Sequence, residues 1–99
     1  MAKIDLTTRF PHPVGIVIGE GVKIGRNTKI WQNVTIGSHG KESKQYPKIG
    51  DGVKVFSKSS ILGNIEVGDG AIIGAHALVL IDVPSNYKAM GVPAKISSI

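Results

Sequence analysis

The stretch KIGDGVKVFSKSSILGNIEVGDGAIIGAHALVL, residues 48–80, carries an aliphatic residue at every sixth position. This first column comprises Ile49, Val55, Ile61, Val67, Ile73 and Val79, and it continues upstream as Ile18, Ile24, Ile30 and Ile36. Four positions after these residues comes a second column of small or β-branched residues: Val22, Thr28, Val34, Val53, Ser59, Ile65, Ala71, Ala77 and Val83. An α-helix of period 3.6 would lose this register, and simple strand alternation would not require it.

Glycine directly follows many members of the first column: Gly19, Gly25, Gly37, Gly50, Gly68 and Gly74. We interpret these glycines as corners, where a sharply turning chain needs a residue without Cβ. Each unit of six then predicts a short strand plus a turn, which must stack on the next coil to bury its apolar side chain. The spacing therefore predicts an all-β solenoid of a little over three coils.

The six-residue register breaks once, in the polar stretch 37–48, which we expect to leave the solenoid as an external loop. Loops held by a rigid scaffold often carry binding residues, which favours a functional role for this one. Residues 84–99 leave the register through two prolines, and we expect an irregular cap on the last coil. The predicted organisation is an N-terminal extension over 1–11, a solenoid over 12–83 and a capping tail over 84–99.

The composition narrows the functional classes. The 99 residues suffice for one domain, and the absence of cysteine excludes disulfides, thiolate metal sites and a cysteine nucleophile. No apolar run reaches the roughly 18 residues that span a bilayer, so we expect a soluble, cytoplasmic chain without membrane contact. The net charge is +5, but outside 41–48 the cations are scattered singly without interleaved aromatic residues. This pattern argues against nucleic acid, and fits a small polyanionic ligand and a merely solvated surface equally well.

His12 stands between Pro11 and Pro13, which restrict the backbone on both sides of a candidate general base. From the residues alone, a histidine at a solvent-exposed entry turn is the favoured interpretation. His12, His39 and His76 lie too far apart in sequence to supply the closely spaced ligand pairs of a zinc site, so we expect no metal.

Several motifs carry a resemblance to a known family: GIVIGEGVKIG, WQNVTIGSHGK, PKIGDGV, ILGNIEVGDGAIIGAHALVL and GVPAKI. Together they resemble the hexapeptide-repeat acyltransferases, in particular the catalytic domain of serine acetyltransferases and of related sugar O-acetyltransferases, over residues 12–97. The resemblance implies a left-handed parallel β-helix. It also implies a homotrimer with its active sites between subunits, acetyl-CoA as co-substrate and a small-molecule acceptor hydroxyl.

The resemblance assigns His12 as the general base, because a hydroxyl attacks a thioester poorly until a neighbouring group removes its proton. Glu20 matches a family glutamate. Backbone N–H groups of Gly37 or Gly40 are candidates to stabilise the developing oxyanion. The residues expected around the acceptor are His39, Gln45 and Tyr46.

For the cofactor, the resemblance implies that the pantetheine arm passes the backbone of Ser57 and Ala75, where small side chains permit close approach. Lys41 and Lys95 are the candidates for pairing with the phosphates.

Three departures from the family pattern concern the acceptor and the base. Gln45 and Tyr46 stand where the family has an Arg-His pair that grips the serine carboxylate, and Pro11 replaces an acid. A family aspartate about fifteen residues before the histidine has no counterpart in this sequence. Because two of these departures affect recognition of serine, we predict acetyl-CoA-dependent O-acetyl transfer of the serine O-acetyltransferase type ahead of serine itself as the acceptor. The alternatives are a sugar or polysaccharide O-acetyltransferase and an inactive trimeric solenoid with a structural role.

Overall fold

The computed structural model describes residues 1–38 and 45–99, which form short strands joined by turns. In chain order the strands are β1 (Lys3–Ile4), β2 (Val17–Ile18), β3 (Lys23–Ile24), β4 (Lys29–Ile30), β5 (Thr35–Gly37), β6 (Lys48–Ile49), β7 (Lys54–Val55), β8 (Ser60–Leu62), β9 (Glu66–Val67), β10 (Ile72–Ile73), β11 (Leu78–Val79), β12 (Tyr87–Gly91) and β13 (Ala94–Ser98). Within these two ranges, no helix is long and apolar enough to cross a membrane.

The strands stack into three sheets, so the fold is a parallel β-helix. Sheet A has the order β1-β3-β6-β9, sheet B the order β4-β7-β10-β12-β13, and sheet C the order β2-β5-β8-β11. Every pair is parallel except β12 with β13. Members of the first column pair with one another across coils, as Ile36 does with Ile61. The predicted solenoid is confirmed.

Both predicted columns fill the interior. The first column is buried from Ile24 to Val79, Ile18 on the uppermost rung is half-buried, and the second column is buried throughout. Each fully buried valine or isoleucine contributes about 1.5–3 kcal/mol relative to an exposed one. Two buried members of the second column are polar, and both are satisfied: Thr28 Oγ1 donates to the Gly50 carbonyl at 2.8 Å, and Ser59 Oγ to the Phe56 carbonyl at 2.9 Å.

The glycines after the first column serve a purpose other than the expected one. The left-handed backbone conformation occurs two residues later, as at Gly52 (φ 64°) and Gly70 (φ 70°). The earlier glycines are instead required where coils approach closely. A Cβ on Gly25 would lie 2.7 Å from the Gly50 carbonyl oxygen, and one on Gly68 would lie 2.7 Å from Ser85 Cα.

The space beside these glycines is occupied by aspartate side chains that bind the coil above. Asp51 Oδ1 accepts the Arg26 N–H at 2.7 Å, and Asp69 Oδ1 accepts the Asp51 N–H at 2.7 Å. Cβ atoms on Gly25 and Gly50 would collide with these two carboxylates. Glycine and aspartate therefore form one interlocking ladder along the corner between sheets A and B, the A–B corner.

The solenoid begins earlier than the predicted boundary at residue 12. Ile4 of β1 pairs with Ile24, and Arg9 forms an isolated bridge to Lys29 on sheet B. Ile4 and Phe10 are six residues apart and extend the register, but the chain then takes eight residues to reach Ile18. Because of this longer step, the six-residue period does not reveal the first coil.

A polar turn fixes this first coil to the second. The Asp5 carboxylate accepts the hydroxyl of Thr7 at 2.6 Å and its N–H at 2.9 Å, and these hydrogen bonds lower the pKa of Asp5. Thr7 Oγ1 in turn accepts the Asn27 N–H at 2.7 Å. The side chains thus replace backbone bonds where the chain changes direction.

The two remaining segments are the interruption and the tail. The interruption joins β5 to β6, and its residues 39–44 lie outside the described part. The tail is more regular than expected: β12 continues sheet B in parallel, with Ala89 opposite Ile73, and β13 folds back antiparallel on it. A hairpin therefore ends sheet B, because the return strand satisfies the backbone of β12.

Substitution of Gly68 by alanine tests the close approach of coils. We expect Gly68→Ala to lower the free energy of unfolding by about 1–3 kcal/mol, because the new Cβ meets backbone that cannot move aside. Gly37→Ala is the control, since a Cβ there has no heavy atom of the described part of the chain within 4 Å. Urea unfolding of both variants measures the effect, and equal stabilities would contradict the assignment.

Candidate active site

His12 lies on the connection that leads from sheet B to sheet C in the first coil, and it is exposed. Its carbonyl accepts the Val14 N–H at 2.7 Å, which closes a three-residue turn with Pro13 at the centre. Proline suits that central position because its fixed φ is close to the value such turns adopt. The two flanking prolines therefore hold His12 at the start of a tight turn.

The His12 turn is fastened to the coil below it. The Asn33 N–H donates to the Val14 carbonyl at 2.9 Å. Gly15 has φ 67° and rests directly on the Asn33 side chain, which a Cβ at this position would strike. These contacts fix the base at one corner of the solenoid, the B–C corner, formed by residues 11–16, 31–34, 56–59 and 74–77.

Ser57 and Ala75 occupy equivalent positions on successive coils of the B–C corner. The Ser57 carbonyl accepts the His76 N–H at 3.0 Å, so the two coils are in direct contact there. Ser57 is half-buried and Ala75 is exposed. The structure thus brings together on one corner three residues that the sequence separates by up to 63 positions.

Glu20 lies at the opposite end of β2 from His12, on the corner between sheets C and A, the C–A corner. It is exposed, and no hydrogen bond joins it to His12. Within one protomer the structure does not bring these two predicted catalytic residues together.

Tyr46 lies beside Glu20 and not beside His12. Its half-buried ring covers the turn at Gly19 and Gly21, where added Cβ atoms would lie 2.7 Å from Cε1 and 2.8 Å from Cε2 respectively. Gln45 precedes it and is exposed. Gly37 ends β5 directly below Gly19, its Cα 3.3 Å from the position of a Gly19 Cβ. Glu20, Gly37, Gln45 and Tyr46 therefore gather at the C–A corner.

Lys95 lies near the lower end of the B–C corner. It pairs with Met90 in the terminal hairpin, and Met90 Cγ lies 3.0 Å from the position of a Cβ on Gly74. His39, Gly40 and Lys41, also predicted as site residues, lie outside the described part of the chain. In the two described ranges, no three His, Cys, Asp or Glu side chains come together as metal ligands.

Two further features lie on the B–C corner, where Trp31 and Gln32 are expected from the sequence to line the groove or, for Trp31, to pack between subunits. Trp31 and Phe56 stack with ring centroids 4.7 Å apart and planes inclined by 22°. Both directly follow a first-column residue, which is the signal that could have predicted the stack. Gln32 Oε1, next to Trp31, is buried without a hydrogen-bond donor among residues 1–38 and 45–99.

The outer faces of the three sheets differ in charge. Lysines that the sequence shows as scattered stand in register: Lys3, Lys23 and Lys48 on sheet A, and Lys29 and Lys54 on sheet B. The corresponding positions on sheet C are uncharged: Val17, Thr35, Ser60 and Leu78. Sheet C, whose two edges carry the predicted site residues, is thus the uncharged face.

Residues 46–80 match the family described as bacterial transferase hexapeptide (six repeats). The chain belongs to the hexapeptide-repeat acyltransferases, and its solenoid is the left-handed parallel β-helix of that class.

Within this class the chain is similar to serine acetyltransferases. It is 52% identical over 89 residues to serine acetyltransferase of Buchnera aphidicola, covering 88% of this chain and 32% of that protein. A serine acetyltransferase solved in complex with CoA superposes with a TM-score of 0.90 at 44% identity, covering 97% of this chain and 39% of that one. The soybean enzyme complexed with serine gives a TM-score of 0.92 at 45% identity, covering 97% and 40%. The chain therefore spans less than half the length of these proteins.

The packing of Tyr46 on the glycine turn is open to a direct test. We expect Gly21→Ala to displace the ring, because the added Cβ would overlap it, and to lower the free energy of unfolding by about 1–3 kcal/mol. In the Tyr46→Ala background the same substitution has no ring to displace, so its effect should nearly vanish. Urea unfolding of the four proteins gives the coupling energy, and additive effects would show that the ring lies elsewhere.

Proposed function

We propose that the protein transfers the acetyl group of acetyl-CoA to the hydroxyl of a small acceptor, with L-serine as the acceptor. The observation that carries the proposal is the alignment of the exposed His12 turn with Ser57 and Ala75 along the B–C corner. Small residues below a fixed histidine leave a path along which an extended pantetheine arm can present its thioester to the base. The similarity to a CoA-bound and a serine-bound acetyltransferase supports both substrates.

The proposed reaction needs one base and no covalent intermediate. His12 takes the hydroxyl proton as the acceptor oxygen attacks the thioester carbonyl carbon, forming a C–O bond and a tetrahedral oxyanion. Backbone N–H groups, with Gly37 and Gly40 as candidates, stabilise that oxyanion. The C–S bond then breaks, and the CoA thiolate receives the proton from the imidazolium.

The acceptor pocket in this proposal is built by two subunits. His12 lies at one edge of sheet C, whereas Glu20, Gln45 and Tyr46 lie at the other edge. A neighbouring subunit that presents its C–A corner to the His12 turn would complete the site. The uncharged outer face of sheet C, with exposed Leu80 and Ile81 beside it, supports contact between subunits on this side. A homotrimer is the arrangement that we propose.

The remaining assignments stay predictions. Lys95 is near the lower end of the B–C corner, where the phosphates of an extended CoA would lie, and Lys41 and His39 belong to the interruption. A sugar hydroxyl is the alternative acceptor, since Gln45 and Tyr46 offer neutral hydrogen-bonding groups at the acceptor end. The expected cytoplasmic location also stays a prediction.

The base assignment is tested by following thiol release from acetyl-CoA with L-serine and with a panel of sugars. We expect His12→Ala to lower kcat by about 10²–10⁴, because the acceptor hydroxyl then loses its proton acceptor. Lys54→Ala controls for the loss of an exposed side chain away from the site and should retain kcat. If both variants keep the native kcat, His12 is not the base, and if no acceptor drives release, the inactive-solenoid interpretation prevails.

The subunit contact is tested by placing a charge on sheet C. Leu78 and Ile72 occupy equivalent outward positions on consecutive strands of different sheets, β11 of sheet C and β10 of sheet B, and both are half-buried. We expect Leu78→Glu to convert trimer to monomer, because the contact would bury an unpaired carboxylate. Ile72→Glu, which places the carboxylate between Lys54 and Lys88 on sheet B, should leave the assembly intact. Light scattering after size-exclusion chromatography measures both masses, and a monomeric native chain would refute the arrangement.

A further inference from the structure

The left-handed corner position is occupied by glycine or asparagine at most coils. It is the third residue after a buried column residue, and it holds Asn27, Asn33, Gly52, Gly70 and Asn86. Glycine adopts this conformation freely, and asparagine tolerates it because its short polar side chain bonds locally. Two described positions depart from the rule: Lys58 at φ 62° and His76 at φ 63°. Histidine is moderately tolerated there, whereas lysine is uncommon.

Both exceptions lie on the B–C corner, on consecutive coils. The Lys58 N–H donates to the Gln32 carbonyl at 3.1 Å, and the His76 N–H to the Ser57 carbonyl at 3.0 Å. Lys58 and His76 directly follow Ser57 and Ala75, which the proposed function places against pantetheine. By contrast, the described left-handed residues on the A–B corner are all glycine or asparagine. The strained residues are thus confined to the corner that carries the candidate site.

The two side chains are available for a ligand. Both residues are exposed, and neither side chain makes a hydrogen bond or salt bridge to another described residue. A lysine ammonium and a histidine ring N–H are the donors that bind phosphate oxygens through charge-assisted hydrogen bonds. A residue held in an unfavourable conformation without an internal partner is a reason to look for function.

Lys58 and His76 lie at the level along the solenoid where the phosphates of an extended CoA, rather than its thioester, would be found. The His12 turn rests on the coil of Asn33, and the coils of Lys58 and His76 follow. Three steps of about 4.8 Å separate the first coil from that of His76, about 14 Å in all. This is comparable to the length of an extended pantetheine arm. With the thioester at His12, the pyrophosphate would therefore reach the level of His76.

We propose that Lys58 and His76 form a phosphate-binding pair for the pyrophosphate of CoA, an inference that rests on the proposed function. Each residue keeps an unfavourable backbone conformation that glycine would relieve, and the bound phosphate stabilises the side chains in return. Lys95, carried close to Gly74 by Met90, lies at the same end of the corner and can add a third cation.

Replacement of the pair by glycine separates the effect on backbone strain from the effect on phosphate binding. We expect the double variant Lys58→Gly with His76→Gly to melt at a higher temperature than the native chain, because the backbone strain is relieved. Its Kd for CoA should rise at least about tenfold, because charge-assisted bonds to phosphate are lost. The binding of dephospho-CoA, which keeps the pyrophosphate, should be weakened by the same factor. Inhibition by pantetheine, which has no phosphate, should not change. Calorimetry and competition against acetyl-CoA measure these constants.

Two controls match the substitutions. Asn86→Gly makes the same change at φ 60° on the A–B corner and should leave the Kd for CoA unaltered. Lys54→Ala removes an exposed cation from sheet B and should likewise leave it unaltered. The proposal is overturned if the native chain binds CoA and the double variant binds it equally well. It is also overturned if the binding of pantetheine is weakened as much as the binding of CoA. If the native chain binds neither CoA nor acetyl-CoA, the proposed function itself fails.

Discussion

The backbone ladder between successive coils is the constraint on which the rest of this structure depends. Most of its strands contain two residues, and such a strand can neither bury its aliphatic side chain nor pair its backbone without the coils above and below. The rungs are regular: the Gly25, Gly50 and Gly68 N–H groups donate to the next coil at 2.9, 2.8 and 2.8 Å. Stability therefore arises between repeats, as in other solenoids.

The ladder also explains how a site can be assembled from residues distant in sequence. Because each coil returns to the same three sheets, equivalent positions on successive coils fall on the same corner. His12, Ser57 and Ala75 meet on the B–C corner for this reason, and Glu20, Gln45 and Tyr46 meet on the C–A corner. The two groups are separated by the width of sheet C, which is why the proposed function calls for a second subunit to complete the site.

The same regularity distributes charge among the faces. Lysines at equivalent positions stand one above another on sheets A and B, where like charges in register oppose stacking by small amounts. Sheet C is free of such columns and can approach another protein surface without burying unpaired ammonium groups. The face that borders the candidate site is therefore also the face best suited to association.

The solenoid and its core could be predicted from the sequence because a period of six fixes which side chains point inward, whatever the coils do elsewhere. Both buried columns were identified in this way, as was the position of the interruption. The first coil was not predicted, because eight residues, not six, separate Phe10 from Ile18. The role of the corner glycines was not predicted either, since the clash of a Cβ on Gly68 with Ser85 arises only once the coils are stacked.

The sequence by itself determined the class of fold, the interior and the identity of a fixed histidine. Only the tertiary structure decided which candidate residues share a corner, that His12 and Glu20 lie apart, and that Lys58 and His76 carry a strained backbone beside Ser57 and Ala75. The physical reason is that the periodicity specifies only whether a side chain points into the core or out to the surface. Distances between coils depend on closure of the chain around the core, and no local pattern records that closure.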